Sequence, residues 1–381
     1  MSRVLLLGPV LAFAAFFFLT PIWTVLVKSV SDPVINDGLP QTVAVLRDWD
    51  GQSPPSPEMQ AALVADLRAL TDQQQLGDVV RRLNSAQSGY RTLLGRTTQA
   101  IAGDGPVDLT TVDKRWAQPA YWEAIRASAP PVTDKFLLAA LDFARDASGS
   151  IERLPESASA NRDIFLRTLS IGATVTLVCL MIGYPYAMLM AASKGWVRVL
   201  LLACVLLPLW TSLLVRTAAW YVLLQDQGLI SNALRWFGVI EGQFRLLFTR
   251  TGVVIAMSHV LLPLMVLPIY AVLLTIPPNL LPAAASLGAR PFGAFLKITL
   301  PMSAAGVASG VLLVFMSAIG YYITPALIGG PTDQMVSSII AFYALNSANW
   351  SMAGAFGMLL LAVTLILYAV YARITRQPAR G

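Results

Sequence analysis

The chain has 381 residues, of which 56% are hydrophobic and only 13% charged. Soluble domains carry about a quarter of their residues as charges, so this composition excludes an ordinary soluble globular protein and points to a membrane. The net charge of +6 implies nothing about nucleic acid, because residues 31–160 hold 12 Lys/Arg against 17 Asp/Glu while the remainder holds 15 against 4. Apolar segments occur at 4–27, 169–192, 199–224, 252–276, 302–328 and 352–372. Each reaches the length of about 20 residues that a bilayer core requires. Lipid offers backbone groups no hydrogen bonds, so all six segments are expected as α-helices. The first is too long for the apolar part of a signal peptide and lacks a clear small-residue cleavage site, so it reads as a retained helix.

Between the first and second spans lies the long acidic segment 31–160. Its start, 31–57, is rich in Pro, Gly and Asp and reads as irregular. A helix is then predicted from Ser56 as N-cap, Pro57 as first helical residue and Glu58 in the first turn. Met59, Leu63, Leu67 and Leu70 share one of its faces. A second helix is predicted with Thr71 as cap and Leu76, Val79, Val80 and Leu83 as its apolar face. The stretches YWEAIRAS and TDKFLLAALDFARD supply two shorter helices. The expectation is an all-helical insertion with its own core. Its carboxylates are scattered among arginines at positions expected to be solvated, and no catalytic spacing appears.

Orientation follows from the short loops. Lys194 and Arg198 lie between spans two and three, Arg290 and Lys297 between spans four and five; Arg3 precedes the first span, and Arg373, Arg376 and Arg380 follow the last. Loop 329–351 has no Lys or Arg, although Arg235, Arg245 and Arg250 sit in the loop before the fourth span. The excess places both termini in the cytoplasm and 31–160 outside. The fold class expected is therefore an all-α membrane protein of six transmembrane helices, with a large helical extracytoplasmic insertion between the first two. Its parts are a first transmembrane helix at 1–30, the insertion at 31–160 and a five-helix core at 161–381. Cys179 and Cys204, both inside spans, read as small packing residues.

The loop at 277–301 is composed unlike the others. Residues 282–301 read PAAASLGARPFGAFLKITLP. Ala283, Ala284 and Ala285 are strong helix formers, and Pro282 is tolerated in a first turn. Gly288 is expected either to end that turn or to admit another backbone closely. A second short helix follows from Arg290, with Ala289 before it, Pro291 at its start, Lys297 near its end, and Phe292, Phe295 and Leu296 on one side. Such a helix–Gly–helix suits either a partner's groove or the membrane surface.

This stretch resembles the cytoplasmic signature of inner-membrane permeases of binding-protein-dependent ABC importers: E-A-A, three residues, G, nine residues, I-x-L-P. Ala283, Ala284, Gly288, Ile298, Leu300 and Pro301 fall in register, and Pro282 replaces the Glu. The resemblance implies a coupling helix that docks on an ATPase subunit. IGYPYAML at 182–189 and LLPLWTSLLVRTAAWYVLLQDQGLISNAL at 206–234 are similar to the spermidine/putrescine branch of these permeases. The likeness covers 1–30 and about 161–376 but not most of 31–160. It implies the permease type of fold, no enzymatic activity in this chain, and as partners a second homologous permease, an ATPase dimer, an extracytoplasmic solute-binding protein and the lipid membrane. No G-x-x-x-x-G-K-[ST] phosphate loop is present, so ATP and Mg are expected at the ATPase subunits, with no cofactor or metal and no nucleic acid on this chain.

Within the spans, Arg216 is expected to face the bundle interior or an aqueous cavity, as a ligand contact or bonded to helix ends and carbonyls. Asp226 is expected to receive an ammonium or to cap the turn at Gly228. Trp210, Trp220 and Tyr221 offer cation–π faces or belong to an interfacial belt. His259, the only histidine, reads as a satisfied hydrogen-bonding residue. Pro263 and Pro268 are expected to kink its helix. Tyr321, Tyr322 and Thr324, before Pro325, are placed along a path at a broken helix. The resemblance implies import of a polyamine or related amine. Permeases for opines, amino-acid derivatives, phosphonates or iron chelates have similar spans, and a receptor or assembly protein acting through its outside domain is the reading from another class.

Overall fold

The structure, a computed structural model, describes residues 2–103, 105, 107–146, 149–156, 159–238 and 245–375. Arg376, Arg380 and Gly381 lie outside the described residues. The chain divides into two compact units, Met1–Ala139 and Ala140–Gly381.

The first unit contains the apolar helical run Leu7–Lys28 and a helical body with its own core. The two ends of that body meet. Ser31 and Val132 form an antiparallel bridge, with Asp32 N–H donating to Pro131 O and Thr133 N–H to Val30 O. Ser56 accepts from Met59 N–H and opens the helix Pro57–Ala69, whose Met59, Leu63 and Leu67 are buried. The next helix, Gln73–Ala86, is capped by Asp72 rather than by Thr71; the Asp72 carboxylate accepts from Gln74 N–H at 2.8 Å. A charged acceptor at the positive helix end outcompetes a hydroxyl one residue earlier. The core centres on Trp116, Trp122 and Tyr90. The two indole rings are 5.2 Å apart, and their N–H groups donate to Thr97 Oγ1 and Trp116 O, both at 2.9 Å.

Helix Pro40–Leu46 starts at Leu39, which has no capping side chain. Asp66, buried in the neighbouring helix, supplies the cap: its carboxylate accepts from Gln41 N–H at 3.2 Å, Thr42 N–H at 2.7 Å and Thr42 Oγ1 at 2.7 Å.

The second unit begins with a departure from the all-helical insertion. The helix expected in TDKFLLAALDFARD ends at Ala140, and Phe143–Arg145 pairs antiparallel with Ile151–Arg153. Asp142 causes the switch: it holds a positive φ of 62°, and its buried carboxylate caps the helix Asn161–Ala192 by accepting from Asn161 N–H at 3.1 Å and Arg162 N–H at 2.7 Å. This hairpin is therefore tied to the start of the second span.

Three long helices, Asn161–Ala192, Arg250–Leu273 and Pro291–Ile319, pack around one buried cluster that includes Ile171, Val175, Met257, Met265 and Val314. Helix Arg250–Leu273 runs unbroken through Pro263 and Pro268. Gly306 and Gly310 lie against its backbone; a Cβ on Gly310 would sit 2.8 Å from Met265 Sδ and 3.1 Å from Met265 O. Small residues at such contacts let helix backbones approach, which is the main source of helix association in lipid. Cys179 packs in the core, whereas Cys204 is exposed and plays no packing part.

Two expected spans differ from their sequence reading. The third, 199–224, is two helices, Gly195–Trp210 and Leu213–Leu223, bent by 102°. Thr211 and Ser212 break it: Thr211 Oγ1 bonds back to Pro208 O, and both residues take extended backbone, a local alternative to helix that such side chains favour. The fifth, 302–328, is shifted: its helix begins at Pro291, ends at Ile319 and is followed by the separate turn Ile323–Ile328. Gly320 takes the C-cap of the long helix, and Pro325 falls in the first turn of the next, where a missing N–H leaves nothing unpaired. Among the described residues, five helices are long and apolar enough to cross a membrane, or six if the bent pair is one span.

Replacing Asp66 by Ala should lower the stability of the helical body by about 1–3 kcal/mol, because it strands buried N–H groups, and thermal unfolding in detergent reads this directly. Asp113 predicts a pH dependence. Hydrogen bonding from Arg115, with Arg96 also at its carboxylate, holds Asp113 well below the usual range. A depressed carboxylate contributes stability that is present above its unfolded pKa and lost as pH falls through the folded one. The unfolding midpoint should thus hold between neutral pH and about pH 4 and drop below it. Asp113→Asn should flatten that acid limb.

Candidate functional site

The composed loop forms a helix, Leu280–Ser286, with Pro282 in its first turn, where a missing N–H leaves nothing unpaired. Its end is a double closure. Gly288 N–H donates to Ala285 O at 2.9 Å and Ala289 N–H to Ala284 O at 3.0 Å, with Gly288 at φ +83°. This is the Schellman arrangement, which requires a left-handed residue after the helix. A Cβ on Gly288 would meet nothing within 4 Å, so within this chain the glycine serves the backbone angle and not a close approach.

Arg290 is extended and starts the helix that continues without a break to Ile319. A wide turn at Phe295–Thr299 absorbs Pro301, which has no N–H to give; Leu300 N–H donates one residue further back, to Phe295 O. The aromatic face is not arranged as its spacing suggested. Phe295 turns inward, edge-on to Tyr184 at 5.8 Å, and Tyr184 bonds Ser303 at 2.8 Å. Phe292, stacked on Phe295 at 6.4 Å, remains 71% exposed. Leu287, not singled out from the sequence, is 90% exposed. Its signal was an apolar side chain directly before the turn glycine. Pro282, Ala283, Ala289, Arg290, Pro291 and Lys297 are also exposed, and Ala284 is half-buried.

The second site lies where the two helix breaks meet. Thr217, from Leu213–Leu223, is 3.2 Å from Thr324 of the turn Ile323–Ile328, hydroxyl to hydroxyl, and both are buried. Trp220 Nε1 donates to His259 Nδ1 at 3.1 Å, the rings being 5.4 Å apart. An accepting Nδ1 leaves the proton of neutral His259 on Nε2. His259 is thus hydrogen-bonded, as the sequence suggested, although the residue is exposed. Arg216 lies close enough for its charge to act on both His259 and Tyr321. The carbonyl bonds expected for it are missing: its Nε and Nη1 are buried without a hydrogen-bond partner. Tyr321 is anchored through its carbonyl, which accepts from Ser337 Oγ at 2.6 Å.

The remaining residues separate from this cluster. Asp226 is 3.3 Å from Arg245 Nε in an ion pair. Tyr221 stands edge-on to Phe248 at 6.2 Å. Trp210, before the bend, is 83% exposed, and Tyr322 is also exposed. Asp333 pairs with Arg250 at 3.4 Å, a contact that no local pattern announced. No group of three His, Cys, Asp or Glu capable of holding a metal occurs among the described residues. The cluster presents donors and aromatic faces.

Residues 183–379 match the family described as the binding-protein-dependent transport system inner membrane component. The match contains both helix breaks and the loop, and it leaves out 31–160. The spermidine/putrescine transport system permease protein PotB of Escherichia coli (strain K12) is 33% identical over 214 residues, which are 56% of this chain and 78% of that one. The inner membrane ABC transporter permease protein YdcU of the same organism is 31% identical over 230 residues, 57% of this chain and 72% of that one. Among solved structures, a bacterial ABC transporter involved in import of the acidic polysaccharide alginate aligns over 56% of this chain and 81% of its own, with 20% identity and a TM-score of 0.42.

The Trp220–His259 bond is testable by a double-mutant cycle. Trp220→Phe removes the donor, and His259→Asn keeps an acceptor near the Nδ1 position. The coupling energy measured by thermal unfolding in detergent should be about 0.5–1.5 kcal/mol. A coupling indistinguishable from zero would contradict the geometry.

Proposed function

Since the chain belongs to the family of binding-protein-dependent transport system inner membrane components, and is a multi-pass inner-membrane permease subunit of an ABC importer, we propose that its cargo is a small organic amine, a polyamine or a close relative. The name of the PotB relatives supports that class. The cargo passes from a solute-binding protein to this chain, a second permease and two ATPase copies, which use ATP and Mg. Alternating access moves it across. The observation that carries the reading is the continuity of Pro291–Ile319: one end is the Schellman loop bearing exposed Leu287 and Phe292, and the other adjoins Tyr321 beside Arg216. A push on the loop by an ATPase subunit reaches the membrane interior through a single helix.

In this reading both termini are cytoplasmic, and the helical body after the first span lies outside, as a cap that contacts the solute-binding protein or shields the cavity mouth. Its ends are zipped at Ser31 and Val132, so replacing it with a short linker changes loop closure by little, about 0.6 kcal/mol per doubling of length. The hairpin that carries Asp142 must be kept, because it caps the second span.

Purified from its native membrane, the chain should bring an ATPase subunit with it and, in proteoliposomes with its binding protein, take up putrescine on ATP addition. Gly288→Val should insert normally yet separate ATP hydrolysis from uptake, since a non-glycine residue in the left-handed region costs about 1–2 kcal/mol. Gly288→Asn and Pro282→Glu should both retain coupling. Replacing 35–129 with a Gly/Ser linker should leave ATPase binding intact and reduce uptake at low cargo concentration. Cysteine at Ser193 should react only from the cytoplasm, and cysteine at Ser88 only from outside.

A further inference from the structure

We propose that Arg216 forms an ion pair inside the membrane with a carboxylate of the second permease subunit, and that this subunit is not a copy of the present chain. The inference rests on the permease reading above.

Arg216 lies three residues into the helix that follows the bend at Thr211–Ser212, and its Nε and Nη1 are shielded without a hydrogen-bond partner. A charge at membrane depth is costly unless it meets a counter-charge or water. Among the described residues it meets no anion. Past residue 160 the acids are Asp163, Asp226, Glu241 and Asp333. Asp163 sits in the first turn of its helix, while Asp226 and Asp333 pair with Arg245 and Arg250. Glu241 lies between helices and outside the described residues. No apolar span contains a carboxylate beyond its first turn.

Thr217 and His259 already have partners. Thr217 Oγ1 bonds Leu213 O at 3.0 Å and Thr324, and His259 Nδ1 already accepts from Trp220. The side chains that the charge of Arg216 reaches, His259 and Tyr321, include no carboxylate. An amine cargo is itself cationic, so it cannot neutralise the guanidinium; left unpaired, Arg216 would repel it. Leu214, Val215 and Val222 on the same helix are exposed, which leaves this element a face for another chain. A second copy of this chain would bring the same spans without a carboxylate. The counter-charge therefore comes from a different permease, where it fixes the register of the two subunits and cancels the field that opposes cation passage.

The test is a charge swap in the assembled importer, with both permeases, the ATPase and the binding protein co-expressed. Arg216→Glu should reduce recovery of the second permease with this chain at least tenfold and abolish putrescine uptake in proteoliposomes. Each Asp and Glu inside the spans of the second permease is then changed to Lys in that background. One combination should restore recovery and uptake, while the same Lys opposite native Arg216 should not support them. Arg216→Met tests for simple misfolding: it should insert and keep its ATPase while losing the second permease. The proposal is overturned if no swap restores assembly, if Arg216→Met assembles and transports like wild type, or if the second permease is a second copy of this chain. It is also overturned if Arg216→Met keeps putrescine uptake but loses uptake of 4-aminobutyrate, for then the cargo brings the carboxylate. Failure of the wild-type complex to take up putrescine contradicts the amine reading alone, because recovery of the second permease still reads the ion pair.

Discussion

The close approach of Pro291–Ile319 to Arg250–Leu273 at Gly306 and Gly310 is the contact on which the second unit depends. Lipid gives helices no hydrophobic reason to associate, so van der Waals contact between backbones must hold them. Two glycines on one side, and Met265 and the carbonyl of Pro268 on the other, allow it. With Asn161–Ala192 packed on both, the three helices form a body whose buried cluster includes Ile171, Met257 and Val314. The loop and the interior cluster are extensions of that body at opposite ends of one 29-residue helix. At a rise of 1.5 Å per residue, that helix is about 43 Å long, enough to link the membrane surface to its far side.

Every irregular feature then has a place relative to this body. The bend at Thr211–Ser212 and the stop at Gly320 bring two helix starts together at Thr217 and Thr324. Non-helical backbone at membrane depth is tolerated where protein or a water-filled cavity covers it, and such breaks mark binding sites in transporters. At the loop, the strained residue is a glycine whose angle is set by two backbone hydrogen bonds. The loop end is thus shaped by local geometry, while the end at the helix breaks is shaped by contacts between distant segments.

That difference explains what the sequence revealed. Local signals were readable: Ser56 as a cap, the apolar face of Met59, Leu63 and Leu67, and the helix–Gly–helix at Gly288 all rest on neighbours within a few residues. The six apolar stretches were readable too, because length and hydropathy are summed along the chain. Breaks inside two of them were hidden, since Thr211, Ser212 and Gly320 scarcely lower the average hydropathy of a long apolar run. The hairpin after Ala140 was hidden because Asp142 finds its partners at Asn161 and Arg162, beyond any local window. Phe295 shared a predicted face with Phe292 until Tyr184, more than a hundred positions away, drew it inward. The pairing of Trp220 with His259 likewise belongs to the fold and not to spacing.

If the three-helix body carries the motion of the loop, it must move as one piece. The direct measurement is electron–electron distance between spin labels in the assembled importer, with and without ATP. Labels at Leu296 and Leu177 report on two helices of the body. Labels at Leu296 and on the second permease report on the body's displacement. The account predicts an unchanged distance distribution for the first pair and a shift for the second when ATP binds. A change in the first pair approaching one helical turn, about 5 Å, with the second pair fixed would contradict it.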